Sequence, residues 1–246
     1  VGFLRRDNFR RTFLEGRFSP RPESIDLVRR FSLTGSIDYI LMANTNVLET
    51  RLNQVRFDTQ FESSDQLSVT VNDNYELLLS SFSPAPDVRL QVGGYDFTDV
   101  EVAYAIGEQR RVNGQLSVQR GGYFNGDITA FAFRQGRVAV LPQLSIEPSI
   151  SVNWIDTPGG SFRTDLLVTR LNYAFNPRMF FSGLIQYNSA NDTVSNNLRF
   201  RWEYSPGSEL FVVYTEDHTT TPLRPNRVTD LRNRGLVIKF NRLFRY

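Results

Sequence analysis

Polar and apolar residues alternate along several stretches of the chain, and this period of two is its strongest constraint on the fold. From Phe31 to Leu41 every second residue is apolar or glycine, whereas the intervening residues are mainly polar. The same split recurs at residues 144–154 and is sharpest at 197–204. Successive side chains of a β-strand point to opposite faces, so each stretch predicts a strand with one apolar and one polar face. No comparable stretch has a helical period, and we expect an all-β protein.

Composition removes several classes of site and of partner. The 246 residues include no cysteine and one histidine, His218, which excludes disulfides, cysteine nucleophiles, thiolate zinc sites and multi-histidine metal sites. We therefore predict no metal site and no cofactor. The net charge of +2 gives little support for a nucleic-acid partner. No run of apolar residues approaches the roughly 18 that a transmembrane helix needs.

Turn residues between the alternating runs predict about thirteen strands. Several exceed typical soluble strands and approach the roughly nine to eleven residues that cross a bilayer when tilted. The predicted strands are 10–19, 30–42, 47–60, 66–72, 96–107, 112–121, 127–136, 143–155, 162–175, 179–188, 197–205, 210–217 and 234–246.

The connections alternate in length, which predicts an orientation. Tight turns are expected at 62–65, 176–178 and 205–208, each after an odd-numbered strand, and longer loops at 73–95, 188–196 and 217–233. Bacterial outer-membrane barrels have short periplasmic turns and long outer loops, so the tight turns and the C-terminus would face the periplasm. An odd strand count is unusual for such barrels, so either one strand escapes this pattern or the chain continues upstream of Val1, and we expect the second.

Three features favour a membrane barrel over a soluble β-sandwich, a propeller or a fibre. The apolar faces are long, while the polar faces carry Arg and Glu. Aromatic residues gather near predicted strand ends, as in the girdles at bilayer interfaces: Tyr39, Trp154, Phe175, Tyr187, Trp202, Tyr204 and Tyr246. The last predicted strand ends on an aromatic residue and is similar to the signal that the outer-membrane assembly machinery reads, with Ile238, Phe240, Phe244 and Tyr246 on one face.

Several segments resemble one family. They are Gly93-Gly-Tyr-Asp-Phe97, Gly121-Gly-Tyr-Phe-Asn-Gly126, Gln186-Tyr-Asn-Ser189, Asn197-Leu-Arg-Phe-Arg-Trp-Glu-Tyr-Ser-Pro-Gly207, Leu210-Phe-Val-Val-Tyr214, Arg242-Leu-Phe-Arg-Tyr246 and Val1-Gly-Phe-Leu-Arg-Arg6. Together they resemble the C-terminal barrel region of an uncharacterised outer-membrane family of Gram-negative bacteria. Its members typically carry an N-terminal domain similar to family-nine carbohydrate-binding modules. The resemblance implies that residues 1–246 are the C-terminal part of a transmembrane antiparallel up-and-down β-barrel, and it implies no reaction.

The charged residues of the polar faces are the candidate lumen residues, namely Glu15, Arg17, Arg170, Arg199, Arg201 and Glu203. They would either form a charged constriction that selects solutes or pair with one another inside a polar barrel. His218 is expected in an outer loop and lacks partners at a catalytic spacing, so we predict no catalytic residues and no enzyme. The apolar run at Tyr75–Leu79 within the 73–95 loop would either cover the barrel mouth or contact a partner, or it would extend the fourth strand beyond the bilayer.

These observations predict a β-barrel in the cell outer membrane, with the lipid bilayer and the assembly machinery as partners. The leading function is a passive channel or uptake conduit for small polar solutes, with arginines favouring anionic or hydroxyl-rich ones. The alternative is a non-conducting anchor or scaffold that docks a partner protein, through its outer loops, or an attached carbohydrate-binding domain. A barrel enzyme is a weaker third class.

Overall fold

The computed structural model describes residues 8–221 and 229–244. Within these ranges no helix is long and apolar enough to span a bilayer. The described strands are β1 (Phe9–Phe18), β2 (Val28–Met42), β3 (Leu48–Phe61), β4 (Gln66–Leu78), β5 (Phe82–Ala85), β6 (Val88–Leu90), β7 (Gly93–Ile106), β8 (Val112–Tyr123), β9 (Gly126–Leu141), β10 (Leu144–Thr157), β11 (Gly160–Asn176), β12 (Met179–Asn188), β13 (Thr193–Ser205), β14 (Ser208–Thr219) and β15 (Asp230–Asn241).

Thirteen of these strands form one antiparallel sheet in chain order, from β1 to β15 without β5 and β6. This confirms the all-β class, and each predicted strand overlaps one strand of the sheet. The sheet strands contain 10 to 17 residues. Among the described residues the sheet is not closed, because β1 and β15 are its two ends.

The predicted loop at 73–95 contains more strand than expected. β4 continues to Leu78, which pairs with Gly93 of β7, so the extension of the fourth strand is the correct alternative for that part. The remainder holds the hairpin β5–β6, which the alternation did not predict. Val88 and Leu90 of this hairpin are buried, and a Cβ at Gly160 would lie 3.4 Å from Val88.

The predicted loop at 188–196 and the predicted restriction of tight turns to one side are both wrong. β13 begins at Thr193, leaving a four-residue connection, because Thr193–Asn196 pairs with β12 along a continuous ladder. Two-residue connections follow β8 and β10, which are even-numbered strands of the sheet, as well as odd-numbered ones. The two longest connections, 79–92 and 220–229, still follow even-numbered strands.

The last strand is shifted relative to its predicted span of 234–246, since β15 is Asp230–Asn241. After Asn241 the backbone leaves the ladder: the Leu243 amide donates to Ser208 Oγ at 3.0 Å. A Cβ at Gly207 would lie 2.6 Å from Leu243 Cδ2, so only a residue without a side chain leaves room for Leu243 at this position. Phe244 therefore lies outside β15, and Tyr246 lies outside the described residues.

The chain divides into two compact units. Unit 1 comprises the described residues up to 107 with 116–131 and 153–163; unit 2 comprises 108–115, 132–152 and the described residues from 164 onward.

In the sheet of unit 1, one face exposes large apolar side chains, and the other face buries small polar ones. The ladder aligns Phe18, Leu33, Phe57, Val69 and Val102 in one row across β1, β2, β3, β4 and β7. Leu33, Phe57 and Val102 are 43–48 % exposed. On the opposite face, Ser32, Ser68 and Asp99 are 2–6 % exposed. This is the reverse of the usual distribution in water.

Candidate functional site

The register of β11–β15 in unit 2 separates an apolar face from a face that carries arginines. Three successive rows of the apolar face hold no charged residue. Across β12 to β15 these rows are Gly183, Leu198, Tyr214 and Leu236, then Phe181, Phe200, Val212 and Ile238, then Met179, Trp202, Leu210 and Phe240. Leu236, Ile238 and Phe240 are each 62–63 % exposed. The apolar side chains of this face therefore meet the surroundings of the molecule rather than a core.

The opposite face of unit 2, which we call the arginine face, brings two candidate lumen residues together. Arg199 lies opposite Ser182, which lies opposite Asn172. In the next row Arg201 lies opposite Phe180. Neighbouring strands are about 4.8 Å apart, so these two rows place arginine, amide, hydroxyl and aromatic groups within one patch.

This patch is concave and forms what we call the arginine cavity, of about 610 Å³. Its volume falls within the range of typical small-molecule sites. Three arginines line the cavity, and no Asp or Glu does. Besides Tyr173 and Phe181 of the apolar face, the lining residues with polar side chains or an aromatic ring are Arg137, Gln143, Ser145, Asn172, Phe180, Ser182, Arg199 and Arg201.

The three arginines of the cavity differ in how their charge is balanced. Arg201 is ion-paired with Glu209, with its Nε donating to Oε1 at 3.0 Å, and its guanidinium lies 5.8 Å from the centre of the Phe211 ring. The side chains of Arg137 and Arg199 form no ion pair or hydrogen bond with any residue that the structure describes. The cavity therefore presents two positive charges that nearby carboxylates do not neutralise.

The other predicted lumen residues do not line this cavity. Arg170 lies on the same face, opposite Leu184, and its Nη1 is 3.8 Å from Glu147 Oε2. Glu203 accepts a hydrogen bond from the Gly207 amide at 3.1 Å and so holds the β13–β14 turn. Glu15 and Arg17 belong to unit 1, where Arg17 donates to Ser32 Oγ at 3.1 Å and Glu15 is exposed.

On the polar face of unit 1, side chains from neighbouring strands form a hydrogen-bond network around Asp99. This carboxylate accepts from Asn72 at 3.0 Å, from Asn74 at 3.0 Å and from Gln119 at 2.9 Å. Asn72 in turn accepts from Gln54 at 2.8 Å. Every bond connects neighbouring strands, so the network fixes the register while it satisfies a buried charge.

Each apolar face ends in a polar cluster at the strand ends that carry a long connection. In unit 1, Arg51 is 2.9 Å from Asp96 and 3.3 Å from Asp73, near the 79–92 connection. In unit 2, Glu216 accepts from Tyr214 at 2.6 Å and from Arg234 at 3.0 Å, near the 220–229 connection. These clusters set one boundary of each apolar face.

His218 belongs to the unit 2 cluster, because its Nε2 is 2.8 Å from Glu216 Oε1. The expectation that it lies in a loop is wrong, since the residue is within β14 and pairs with Val194. The described ranges contain no group of three or more carboxylate or histidine side chains arranged to hold a metal.

The predicted aromatic residues lie near the ends of their strands. Trp202 and Tyr204 lie at the end of β13 that leads into the turn at 206–207. Tyr187 lies at the end of β12 that leads into the connection at 189–192. Tyr39 lies opposite Arg51, Phe175 is 54 % exposed at the end of β11, and Trp154 is 45 % exposed with the Arg163 guanidinium 5.3 Å from its ring. Ile238 and Phe240 lie on the apolar face of β15, while Tyr246 is outside the described residues.

Sequence reasoning missed Arg137 as a lining residue. The predicted strand ended at residue 136, whereas β9 runs to Leu141. Gln135 has φ 53, and a left-handed residue within a strand is typical of a β-bulge, which interrupts the alternation. The dipeptide Gln135-Gly136 is the only local indication of a bulge here, and the same dipeptide equally predicts a turn that would end the strand.

The comparisons with known proteins give no relative. No protein-family model, no curated protein and no solved structure matches this chain.

Proposed function

We propose that this chain is a transmembrane β-barrel, or part of one, in the outer membrane of a Gram-negative bacterium, and that it is a passive conduit for small polar solutes. The observation that carries the proposal is the inverted burial of unit 1, with Leu33, Val55 and Phe57 exposed and Ser32 and Asp99 buried. In water, rows of exposed apolar side chains on a sheet would aggregate. In a bilayer the same rows face hydrocarbon, and the polar rows face the lumen.

The dimensions of the apolar faces support a membrane location. Along β3 the stretch without charge on the apolar face of unit 1 runs from Asn53 to Phe61, or about 26 Å of strand at 3.3 Å per residue. A tilt of about 40° reduces this length to about 20 Å along the membrane normal, which approaches the roughly 25 Å apolar band of outer-membrane barrels. Tyr39 and Tyr75 at one end and Tyr104 at the other suit the interfacial zones, where amphipathic rings are favoured.

The membrane proposal also requires that β1 and β15 are paired on their outer sides. An unpaired edge would leave backbone amides and carbonyls without partners in hydrocarbon. These strands would pair with each other or with strands that this chain does not supply. The resemblance to the C-terminal barrel region of the outer-membrane family agrees with the second arrangement, and assembly by the outer-membrane machinery is part of this proposal.

A specific observation favours the alternative, a non-conducting anchor or scaffold that docks a partner protein or an attached carbohydrate-binding domain. Side chains fill the polar face of unit 1 around Asp99, as they would in a barrel with no open lumen. The arginine cavity of unit 2 favours the conduit instead, because it is open and carries uncompensated charge.

Recording current across a planar bilayer distinguishes these two functions. The purified chain is added under a salt gradient, with the same detergent and heat-denatured protein as controls. The conduit predicts steady current with a reversal potential biased toward anions. Lasting silence from protein that has inserted into the membrane would contradict the conduit and support the scaffold.

A further inference from the structure

We propose that the arginine cavity of unit 2 is a binding site for small carboxylates that carry a planar, apolar ring, such as an aromatic carboxylate. This inference rests on the proposed conduit for its biological role, since it names the solute class of that conduit. The site itself is argued from the cavity.

The charge of the cavity selects an anion. Arg137 and Arg199 are without partners among the described residues, and the only ion pair of a lining residue is that of Arg201 with Glu209. The nearby carboxylate Glu147 is already engaged, because it accepts from Asn172 at 3.0 Å. Arg137 on β9 and Arg199 on β13 bring their charges to the same cavity, so a bound anion would offset positive charge that the described carboxylates leave unpaired.

The donor geometry favours a carboxylate. A guanidinium presents parallel N–H groups that match the two oxygens of a carboxylate. The Gln143 amide and the Ser182 hydroxyl also line the cavity and supply neutral donors, whereas one N–H of the Asn172 amide is already donated to Glu147. An anion in this position would therefore have both charged and neutral hydrogen-bond partners.

The other lining residues of the cavity favour an apolar ring over a sugar. Phe180 lines the cavity and is 39 % exposed, so its ring is available for stacking. Apolar residues form much of the rest of the lining: Ala139, Leu141, Pro142, Leu144 and Ala174. A ring without hydroxyl groups can be buried there at no cost in unmet hydrogen bonds, whereas a sugar phosphate would lose the hydration of its hydroxyls.

The test measures binding of radiolabelled benzoate to the purified full chain in detergent micelles by equilibrium dialysis. We expect saturable binding that weakens at least about tenfold in Arg199→Gln and in Arg137→Gln, equivalent to about 1.4 kcal/mol or more. Phe180→Ala should weaken benzoate binding severalfold more than acetate binding, because acetate has no ring to stack. Arg21→Gln, which removes one charge from the exposed 19–27 connection, should bind benzoate as the unmodified chain does.

Each outcome supports or overturns the site independently of the conduit. Absence of saturable benzoate binding, or equal binding by the unmodified chain, Arg199→Gln and Arg137→Gln with strand content preserved by circular dichroism, overturns the site. Tighter binding of glucose 6-phosphate than of benzoate overturns the proposed ligand class. Saturable benzoate binding by a chain that passes no current refutes the conduit and leaves the site in place, whereas current without benzoate binding refutes only the site.

Discussion

Tyr204 and Phe240 form an offset parallel stack at the end of the apolar face of unit 2 next to the 206–207 turn, with ring centroids 5.2 Å apart and planes inclined by 7°. The Tyr204 hydroxyl also donates to the Asn241 carbonyl at 2.9 Å. Tyr204 is on β13 and Phe240 on β15, so the pair ties together strands that are not neighbours in the sheet.

This contact predicts a measurable loss of stability. Phe240→Leu keeps an apolar side chain but removes the stacked ring, and should lower the free energy of unfolding by about 0.5–1.5 kcal/mol. Urea unfolding in phospholipid vesicles measures the change. Ile238→Leu, on the same face of the same strand, should change it much less, and equal effects of the two substitutions would show that the stacking contributes nothing specific.

Charge on the apolar face of unit 1 should be far more costly than charge on its polar face. Val100 is 40 % exposed and lies in a row with Val55 and Val71. If lipid contacts that row, Val100→Arg should lower the free energy of unfolding in vesicles by about 2–4 kcal/mol.

The matched control for this substitution is Ser36→Arg, at a polar-face position opposite Glu15. It should fold and insert almost as the unmodified chain does, since a carboxylate is within reach of the new guanidinium. Tolerance of Val100→Arg together with loss of folding in Ser36→Arg would reverse the assignment of the two faces.

Asp99 should be the most sensitive carboxylate of β7. Asp99→Ala leaves the amides of Asn72, Asn74 and Gln119 without their acceptor in a buried site, which should cost about 2–4 kcal/mol of unfolding free energy. Asp96→Ala is the matched control, because Asp96 is exposed and its ion pair with Arg51 is at the surface. Comparable losses in the two variants, measured by urea unfolding, would contradict the role of the Asp99 network.

Regular alternation and turn residues were sufficient to predict the thirteen-stranded sheet, because both are local. The turn Ser205-Pro206-Gly207-Ser208 is an example: Pro206 fixes the first central residue, and Gly207 adopts φ 76, which glycine favours. The alternation failed where long-range contacts decide. Asp73 interrupts an apolar run, yet β4 continues through it because Arg51 and Asn53 of β3 satisfy its carboxylate.

The candidate site could be predicted only in part. Arg199 and Arg201 alternate with apolar residues, so a shared face for them follows from the sequence. The sequence does not predict that only Arg201 of the two is ion-paired, because Glu209 lies on the next strand and the register decides which arginine it reaches. Arg137 joins the cavity from β9, beyond the irregularity at Gln135, and local pattern cannot give its position.

The proposed contact between the apolar rows and lipid can be tested directly on β4, because the chain has no cysteine of its own. Single variants Val69→Cys, Thr70→Cys and Val71→Cys, each carrying a nitroxide label, are reconstituted into vesicles and exposed in turn to molecular oxygen and to a water-soluble nickel complex. We predict high oxygen and low nickel accessibility at positions 69 and 71, and the opposite preference or low accessibility to both reagents at position 70. Equal nickel accessibility at all three positions, or protein that remains dispersed in buffer without detergent or lipid, would contradict the membrane assignment.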